Sequence, residues 1–503
     1  MSNHTTLSVA AILAESAVRW ADSTAVISDD ERVSYAQLWD RARQVAGALR
    51  ERGIREGDRV AMMIPNVVDF PTVYYGVLAL GAIVVPVHPL LKTPEIEHVL
   101  RTSGAALLVT DAATESDARA AAAAADVTVI ATGDELDALA ATAVPLDLYT
   151  PMHPLAPAAM LFTSGTSGRP KGAVLSHLNL VEQTHVALID SFDVRPHDVV
   201  CAALPLSHVF GQSNAMNTAF RRGAALLLIR RFRGDSTLDQ MIAQGATIFA
   251  GVPTMLIALL DAARATTARP PLRYVISGGS SLPEAVLESF SREFAAPIHE
   301  GYGLSETSPT ALINHVGRPA RAGTVGTPVW GVDVRIALPD APTIELLDDE
   351  VVGEIVIRGH SLFLGYHGDD AATQTAVVDG WFRTGDLGRR DADGRITIVD
   401  RTKDMILRGG YNIYPREIEE VLARMPGVQS VAVFGIPDER NGQEIVAAVV
   451  AQPGSDLDDE AVLAYARERI AAHKYPRRVV LLDALPLGPS GKVLKRELSR
   501  IYG

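Results

Sequence analysis

Through most of the chain, amphipathic helical patterns precede short, nearly unbroken runs of Val, Ile, Leu and Ala. Residues 35–51 precede 59–64, 94–103 precede 106–110, and 239–244 precede 247–251. A strand that is apolar on both faces needs cover on both, and a helix crossing over to start the next parallel strand supplies it. The alternation therefore predicts parallel sheets layered between helices and confines the fold to the α/β class. The Ala-rich stretch 118–144 reads as a solvent-facing helix and a connection around a strand at 127–131.

Near residue 340 the pattern changes. Segments 332–347, 353–358 and 395–399 read as short strands between Gly, Pro and Asp turns, a small β region. Beyond 400–404 follow a helix at 415–425, strands at 428–435 and 445–451, a helix at 458–473 and a strand at 478–482, a compact α+β unit. The expected architecture is a large N-terminal domain, 1–401, of layered α/β subdomains plus the small β region, and a smaller C-terminal α+β domain, 402–503.

With 503 residues, 48% of them hydrophobic and 21% charged, the chain has the apolar content for a large core and is not a disordered polymer. Lys and Arg number 46 against 60 Asp and Glu, a net charge of -14, which argues against a sequence-independent grip on nucleic acid or an anionic membrane. Positive contacts to any anionic ligand must be local. The single cysteine, Cys201, permits neither an internal disulfide nor a cysteine metal cluster. Residues 1–10 lack the basic flank and apolar core of a secretory signal, so the expected location is cytoplasmic. The long apolar stretch 73–91 is interrupted by Gly76, Gly81, Pro86, His88 and Pro89, which divide it into a buried helix at 71–80, a Gly turn and a strand at 82–87. No integral membrane segment is expected.

Thr163-Ser164-Gly165-Thr166-Ser167-Gly168-Arg169-Pro170-Lys171-Gly172 concentrates hydroxyls, glycines and a lysine in one loop. Glycines let backbone N–H groups approach a polyphosphate, hydroxyls donate, and Lys171 adds charge. It is not a Walker A loop: Pro170 stands where the glycine before the lysine belongs, and Gly172 replaces the hydroxyl residue that would hold magnesium. Segments 158–162 and 173–176 on either side read as strands, making the loop a hairpin tip. A dehydrogenase of the Rossmann type is excluded by the lack of a G-x-G-x-x-G after the first strand.

Residues 163–172 resemble the signature of the adenylate-forming superfamily, which includes acyl-CoA synthetases, luciferases and the adenylation domains of peptide synthetases. Further matches occur in the family's order: Gly301-Tyr302-Gly303-Leu304-Ser305-Glu306-Thr307, Gly380-Trp381-Phe382-Arg383-Thr384-Gly385-Asp386-Leu387, Asp400-Arg401-Thr402-Lys403-Asp404 leading to Gly409-Gly410-Tyr411-Asn412, and Pro489-Ser490-Gly491-Lys492. Ser167 and Ser305 stand where threonine is commoner, and both keep the hydroxyl.

The resemblance implies an enzyme that joins a carboxylate to the α-phosphate of ATP and then passes the acyl group to a thiol. Lys492 would be the catalytic ammonium between the two anions; without the preceding motif it would read as a solvated lysine of a basic tail. Glu306 would hold Mg2+, Ser305 would meet the α-phosphate, and Tyr302 would stack on adenine, although a buried core tyrosine is its simpler reading. Thr163, Ser164, Gly165, Thr166, Ser167, Gly168 and Lys171 would cradle the phosphates. Asp386 would accept the ribose hydroxyls, with Arg401 reaching ribose or phosphate. Gly278 and Gly279, at the end of a strand at 274–276, together with Gly301 and Gly303, would border the adenine and acyl pockets. Lys403 occupies the hinge position of a mobile C-terminal domain, or is simply a lysine in a charged linker. Gly409, Gly410 and Tyr411 would line a pantetheine channel after rotation.

Segment 204–212 resembles the family's pocket for acids without an amino group, and neither the aspartate of amino-acid activators nor a carrier domain is visible. His208 is either a gate of that pocket or a satisfied core histidine. Val209, Phe210, Gly251, Leu304 and Pro309, with Met216, Ala250 and Val252, make an apolar wall, each buried methylene contributing about 0.8 kcal/mol. Malonate-activating relatives carry arginine where Gly301 stands. The expected acid is thus a medium- to long-chain fatty acid, with aryl or cinnamate-type acids second, and the expected acceptor is coenzyme A. A luciferase-type oxygenation and a catalytically silent binding protein on the same fold stay open, as does a homodimer.

Overall fold

The computed structural model describes residues 5–29, 31–163, 169–409, 411–488 and 491–503. Among these, the chain forms four sheets. The largest has nine strands, running Thr327–Pro328, Leu312–Ile313, Ile298–Tyr302, Tyr274–Ser277, Ile248–Gly251, Val199–Ala202, Ala225–Leu228, Thr24–Ser28 and Glu31–Ser34. Neighbours from Ile298–Tyr302 to Thr24–Ser28 are all parallel, with Ala250 opposite Ala202 and Ile276. The seven-stranded sheet is parallel from Pro157–Thr163 through Ile83–Pro86, Arg59–Met63 and Leu107–Thr110 to Thr128–Ala131. Its other edge is antiparallel: Lys171–Ser176 pairs with Pro157–Thr163, which makes the expected hairpin.

Both sheets bury nearly continuous apolar strands, as the alternation requires. Helix Tyr35–Glu51 starts at a Ser34 capping box and packs on helix Asp69–Ala79, which is buried from Phe70 to Ala79. A Cβ at Gly76 would lie 2.9 Å from the Ala42 carbonyl oxygen, so glycine sets how closely the two helices approach. Tyr75 and Tyr35 each place a ring 5.9 Å from Phe220 and satisfy their hydroxyls on Asn217 and the Ala224 carbonyl. No helix among the described residues is long and apolar enough to cross a membrane.

Two expectations need correction, and one strand is an addition. The 118–144 stretch holds two helices, Glu115–Ala125 and Asp134–Thr142, and the first buries Ala118, Ala121 and Ala122 in a core. An all-Ala face is small but still apolar, so it packs instead of facing water. The 332–347 segment is a strand only over Val332–Ala337, after which Asp340 at φ 57° turns the chain and Leu346 returns to bridge Ala337. Strand Trp381–Arg390 was not anticipated: its Gly and Arg residues mask the periodicity, and partners on both sides, Gly353–Gly359 and Ile396–Arg401, impose the extended form.

That third sheet ends at Arg401. The fourth begins at Ile406–Arg408 and includes Val428–Asp438, Gly442–Ala451 and Arg478–Leu482, with Ile406, Ile418, Val433, Ile445 and Val462 in its own core.

Candidate functional site

Four loops leave the C-terminal ends of strands that lie side by side in the large sheet: 203–210 after Val199–Ala202, 252–254 after Ile248–Gly251, 278–281 after Tyr274–Ser277, and 303–306 after Ile298–Tyr302. After Val199–Ala202 the chain adds Ala225–Leu228 on one side and then Ile248–Gly251 on the other. Such a reversal of strand order opens a crevice at the carboxyl ends of the strands. The crevice here is a cleft of about 2170 Å³.

Into one end of the cleft come Thr163 and Lys171 from the two strands of the hairpin. Thr163 Oγ1 donates to Glu306 Oε1 at 3.1 Å, and Tyr366 donates its hydroxyl to the same oxygen at 2.9 Å. Lys171 Nζ pairs with Asp369 at 3.2 Å and lies 5.5 Å from the Tyr366 ring centre. Tyr366 and Asp369 belong to no motif singled out above. The short strand Gly365–Tyr366 is brought here by pairing with Ala173 and Val174, a long-range register that no local pattern announces. Ser164, Gly165, Thr166, Ser167 and Gly168 lie outside the described residues.

A second group surrounds Asp386, which is buried. The Tyr302 hydroxyl donates to its Oδ2 at 2.6 Å, and Arg401 Nε lies 3.1 Å from Oδ1. Register places Asp386 directly opposite Arg401 on adjacent antiparallel strands, so the ion pair is built into the sheet. Burial, and then the Asp386 charge, push the Tyr302 phenol well up, keeping it protonated as a donor. Behind the carboxylate, the Gly385 N–H donates to Glu354 at 3.0 Å, and Glu354 also pairs with Arg383 at 2.6 Å. This buried support fixes the irregular strand backbone at Gly385, whose φ is 69°.

From the C-terminal unit, Lys403 and Lys492 also line the cleft. At Gly491, φ 77°, a Cβ would stand 3.0 Å from Val252 Cγ2, and its carbonyl accepts from Thr254 Oγ1 at 3.4 Å. The Lys492 stem runs past Gly279, where a Cβ would stand 3.6 Å from Cε. Burial pulls the Lys492 ammonium down to about 8, helped by Arg401 and Lys403 and opposed by Asp386 and Glu306. Pro489 and Ser490, before it, lie outside the described residues.

The remaining wall carries His208, Val209, Phe210, Leu304 and Pro309, with Ser305, Gly278, Gly301 and Gly303 beside them. Gly303 admits no side chain, since a Cβ would fall 1.7 Å from the Pro309 carbonyl oxygen. Burial, then the nearby Lys492 charge, push His208 down to about 4, so its ring is neutral at pH 7. Its Nδ1 accepts from the Phe210 N–H at 3.2 Å, which assigns the proton to Nε2. His208 is thus a neutral cleft-lining donor.

The apolar wall has a polar floor that the sequence reading missed. Segment Gly211–Asn217 is a π-helix, a widened turn often found at functional sites. From it Asn214 lines the cleft and donates Nδ2 to Thr310 Oγ1 at 2.9 Å, while its buried Oδ1 has no partner among the described residues.

Several expected residues are elsewhere. Gly251 is not a cleft residue: its Cα is turned to the Phe249 ring, 2.5 Å from where a Cβ would sit. Met216, Ala250 and Val252 likewise lie behind the lining. Gly409 and Tyr411 do not reach the cleft; Tyr411 is exposed and rests on His473, ring centres 4.8 Å apart. Gly410 lies outside the described residues.

Two family models match this chain: that of AMP-binding enzymes over residues 13–367, and that of the AMP-binding enzyme C-terminal domain over 417–492. A feruloyl-CoA synthase of an Amycolatopsis species is 36% identical, covering 96% of this chain and 96% of that protein. A long-chain-fatty-acid–CoA ligase of Bacillus subtilis is 31% identical over 97% of this chain and 93% of its own length. The ATP-bound structure of MatB from Rhodopseudomonas palustris superposes with a TM-score of 0.90 at 31% identity, covering 98% of this chain and 99% of that one. The apo form of MatB gives 0.79 at 30% identity, covering 99% of each.

Proposed function

The chain belongs to the AMP-binding enzyme family and is an acid–thiol ligase of its acyl-CoA synthetase branch, and on that premise we propose that its acid is an aryl or cinnamate-type carboxylate bearing a hydroxyl, and its acceptor coenzyme A. The observation that carries this reading is Asn214. Its Oδ1 is a buried acceptor with no partner among the described residues, at a cleft otherwise walled by Val209, Phe210, Leu304 and Pro309. Leaving such an oxygen against an alkyl chain costs about 1–3 kcal/mol, whereas a phenolic hydroxyl supplies the missing donor. The similarity to a feruloyl-CoA synthase supports it. A medium- to long-chain fatty acid is the second reading, favoured by the apolar walls and by the relatives named for such ligases.

In the first half-reaction a carboxylate oxygen attacks the α-phosphorus of ATP and the bond to pyrophosphate breaks. Negative charge crowds at that phosphorus, and Lys492, reaching past Gly279, supplies the compensating ammonium. Thr163 and Lys171 face the phosphates, and Ser305 faces the α-phosphate. Asp386 spends one lone pair on Tyr302 and one on Arg401, which leaves acceptor capacity for both ribose hydroxyls. A magnesium ion would rest on Glu306 with phosphate oxygens and water, the usual manner at nucleotide sites, and no group of three or more His, Cys, Asp or Glu that could hold a metal ion by itself is found among the described residues. At Glu306 the ion would offset phosphate charge.

In the second half-reaction the thiol sulfur attacks the acyl carbon and the bond to AMP breaks. Gly409 and Tyr411, now outside the cleft, would line the thiol's path after the unit beyond Arg401 turns about Lys403. The higher likeness to the ATP-bound than to the apo form of MatB supports reading the present arrangement as that of the first half-reaction. The test is ATP-dependent pyrophosphate release with ferulate, 4-coumarate, cinnamate, decanoate and palmitate, with and without coenzyme A. Hydroxycinnamates should give the highest kcat/KM; a preference for palmitate would install the second reading.

A further inference from the structure

Helix Pro253–Ala263 meets the C-terminal unit at both ends of one face. Thr254, in its first turn, donates to the Gly491 carbonyl beside Lys492, and Asp261 accepts from Gln429 Nε2 at 2.6 Å. Seven residues span almost two turns, so the two side chains share a face about 10 Å apart. Asp261 also holds Arg264 at 3.4 Å through its other oxygen, which aims the carboxylate at Gln429. A further pair, Glu284 with Arg424, joins the next helix to the same unit. The two contacts differ in strength. Arg424 is 58% exposed and its pair is screened, whereas Asp261 is only 31% exposed and its bond to Gln429 is charge-assisted.

We propose that Asp261 and Gln429 form the latch that holds the C-terminal unit where Lys492 enters the cleft, and that their bond sets the division of the enzyme's time between its two half-reactions. Both border the cleft and act as positioning residues, through where they place Lys492. The latch joins helix Pro253–Ala263 to strand Val428–Asp438 and uses no residue of the 402–404 linker, so it selects one orientation of the unit without restricting the linker. The inference rests on the acid–thiol ligase reading.

Gln429→Glu sets a second carboxylate against Asp261 and should open the latch. Asp261→Asn in the same chain reverses the donor and acceptor and should close it again. With no substrate present, amide hydrogen exchange of residues 491–494 should rise about tenfold in Gln429→Glu and return to the wild-type rate in the double variant. With ferulate as the acid, pyrophosphate exchange should fall about tenfold, while transfer from supplied feruloyl-adenylate to coenzyme A stays equal or becomes faster. A residue that only stabilises the fold would slow both half-reactions alike. Equal loss of both, unchanged exchange at 491–494, or failure of the double variant to restore them would overturn the latch. A wild-type protein with no pyrophosphate exchange for any acid would reject the functional reading instead, and the hydrogen-exchange comparison would still judge the latch.

Discussion

The Tyr302 hydroxyl and the Asp386 carboxylate are joined by a 2.6 Å hydrogen bond that links the large sheet to the small β sheet. Arg401 approaches the other carboxylate oxygen, so Asp386 is aimed before any nucleotide arrives.

Tyr302→Phe keeps the ring and removes the donor. A hydrogen bond to a charged group contributes about 1.5–3 kcal/mol, so KM for ATP should rise on the order of tenfold or more, with kcat changed less. Pyrophosphate-release kinetics over a range of ATP concentrations check this. An unchanged KM would mean that Asp386 is held by Arg401 alone.

Lys492 is charged below about pH 8 and neutral above it. Since the ammonium is the useful form, kcat/KM for adenylation should fall as pH rises through about 8, while acyl transfer from a supplied acyl-adenylate does not follow that limb. Lys492→Ala should lose adenylation by about 10²–10³-fold and keep the transfer step. Lys492→Arg should move the alkaline limb out of the measurable range, whatever its absolute rate. Stopped-flow pyrophosphate release and a separate transfer assay distinguish these outcomes.

Glu300 is a buried carboxyl on strand Ile298–Tyr302, and burial pushes it up to about 7 against the pull of Arg416 and the Leu282 N–H, with Glu420 adding to the rise. Between its ordinary 4.5 and about 7, the folded protein keeps a proton that the unfolded chain has released, so stability falls as pH rises through that window. Above 7 the cost is complete. Glu300→Gln should therefore raise stability by about 1–3 kcal/mol at pH 8 and by little at pH 4.5. Thermal melts at the two pH values test the sign.

Asn214→Leu fills the cleft floor with an apolar side chain and leaves Thr310 without its donor partner. Selectivity for 4-coumarate over cinnamate should drop by about 1–3 kcal/mol, roughly 5- to 150-fold in the ratio of kcat/KM values. Unchanged selectivity would remove the floor from acid recognition.

What was legible in the sequence was whatever a short segment decides by itself. The hairpin around Thr163 and Lys171, the crevice at Gly278 and the motif segments around Tyr302 and Asp386 carry their geometry in neighbouring residues. Contacts that depend on register between distant strands left no local trace. Tyr366 reaches Glu306 only because Gly365 pairs with Val174, and Glu354 supports Asp386 only because Gly353–Gly359 lies beside Trp381–Arg390. The polar floor was hidden for another reason: a π-helix rotates side chains away from the positions a 3.6-residue period assigns, so no pattern in the sequence marks Asn214.

The loops that rim the cleft spring from separate parallel strands of a single sheet. Under the proposed function, segment 203–217 borders the acid, while segment 303–306 would meet the acid through Leu304 and the nucleotide through Ser305 and Glu306, and the Asn214–Thr310 bond couples the two neighbourhoods. Exchanging segment 203–217 for that of another ligase should therefore re-address the catalyst to a new acid, with its energy source still plugged in, only where the newcomer keeps a partner for Thr310.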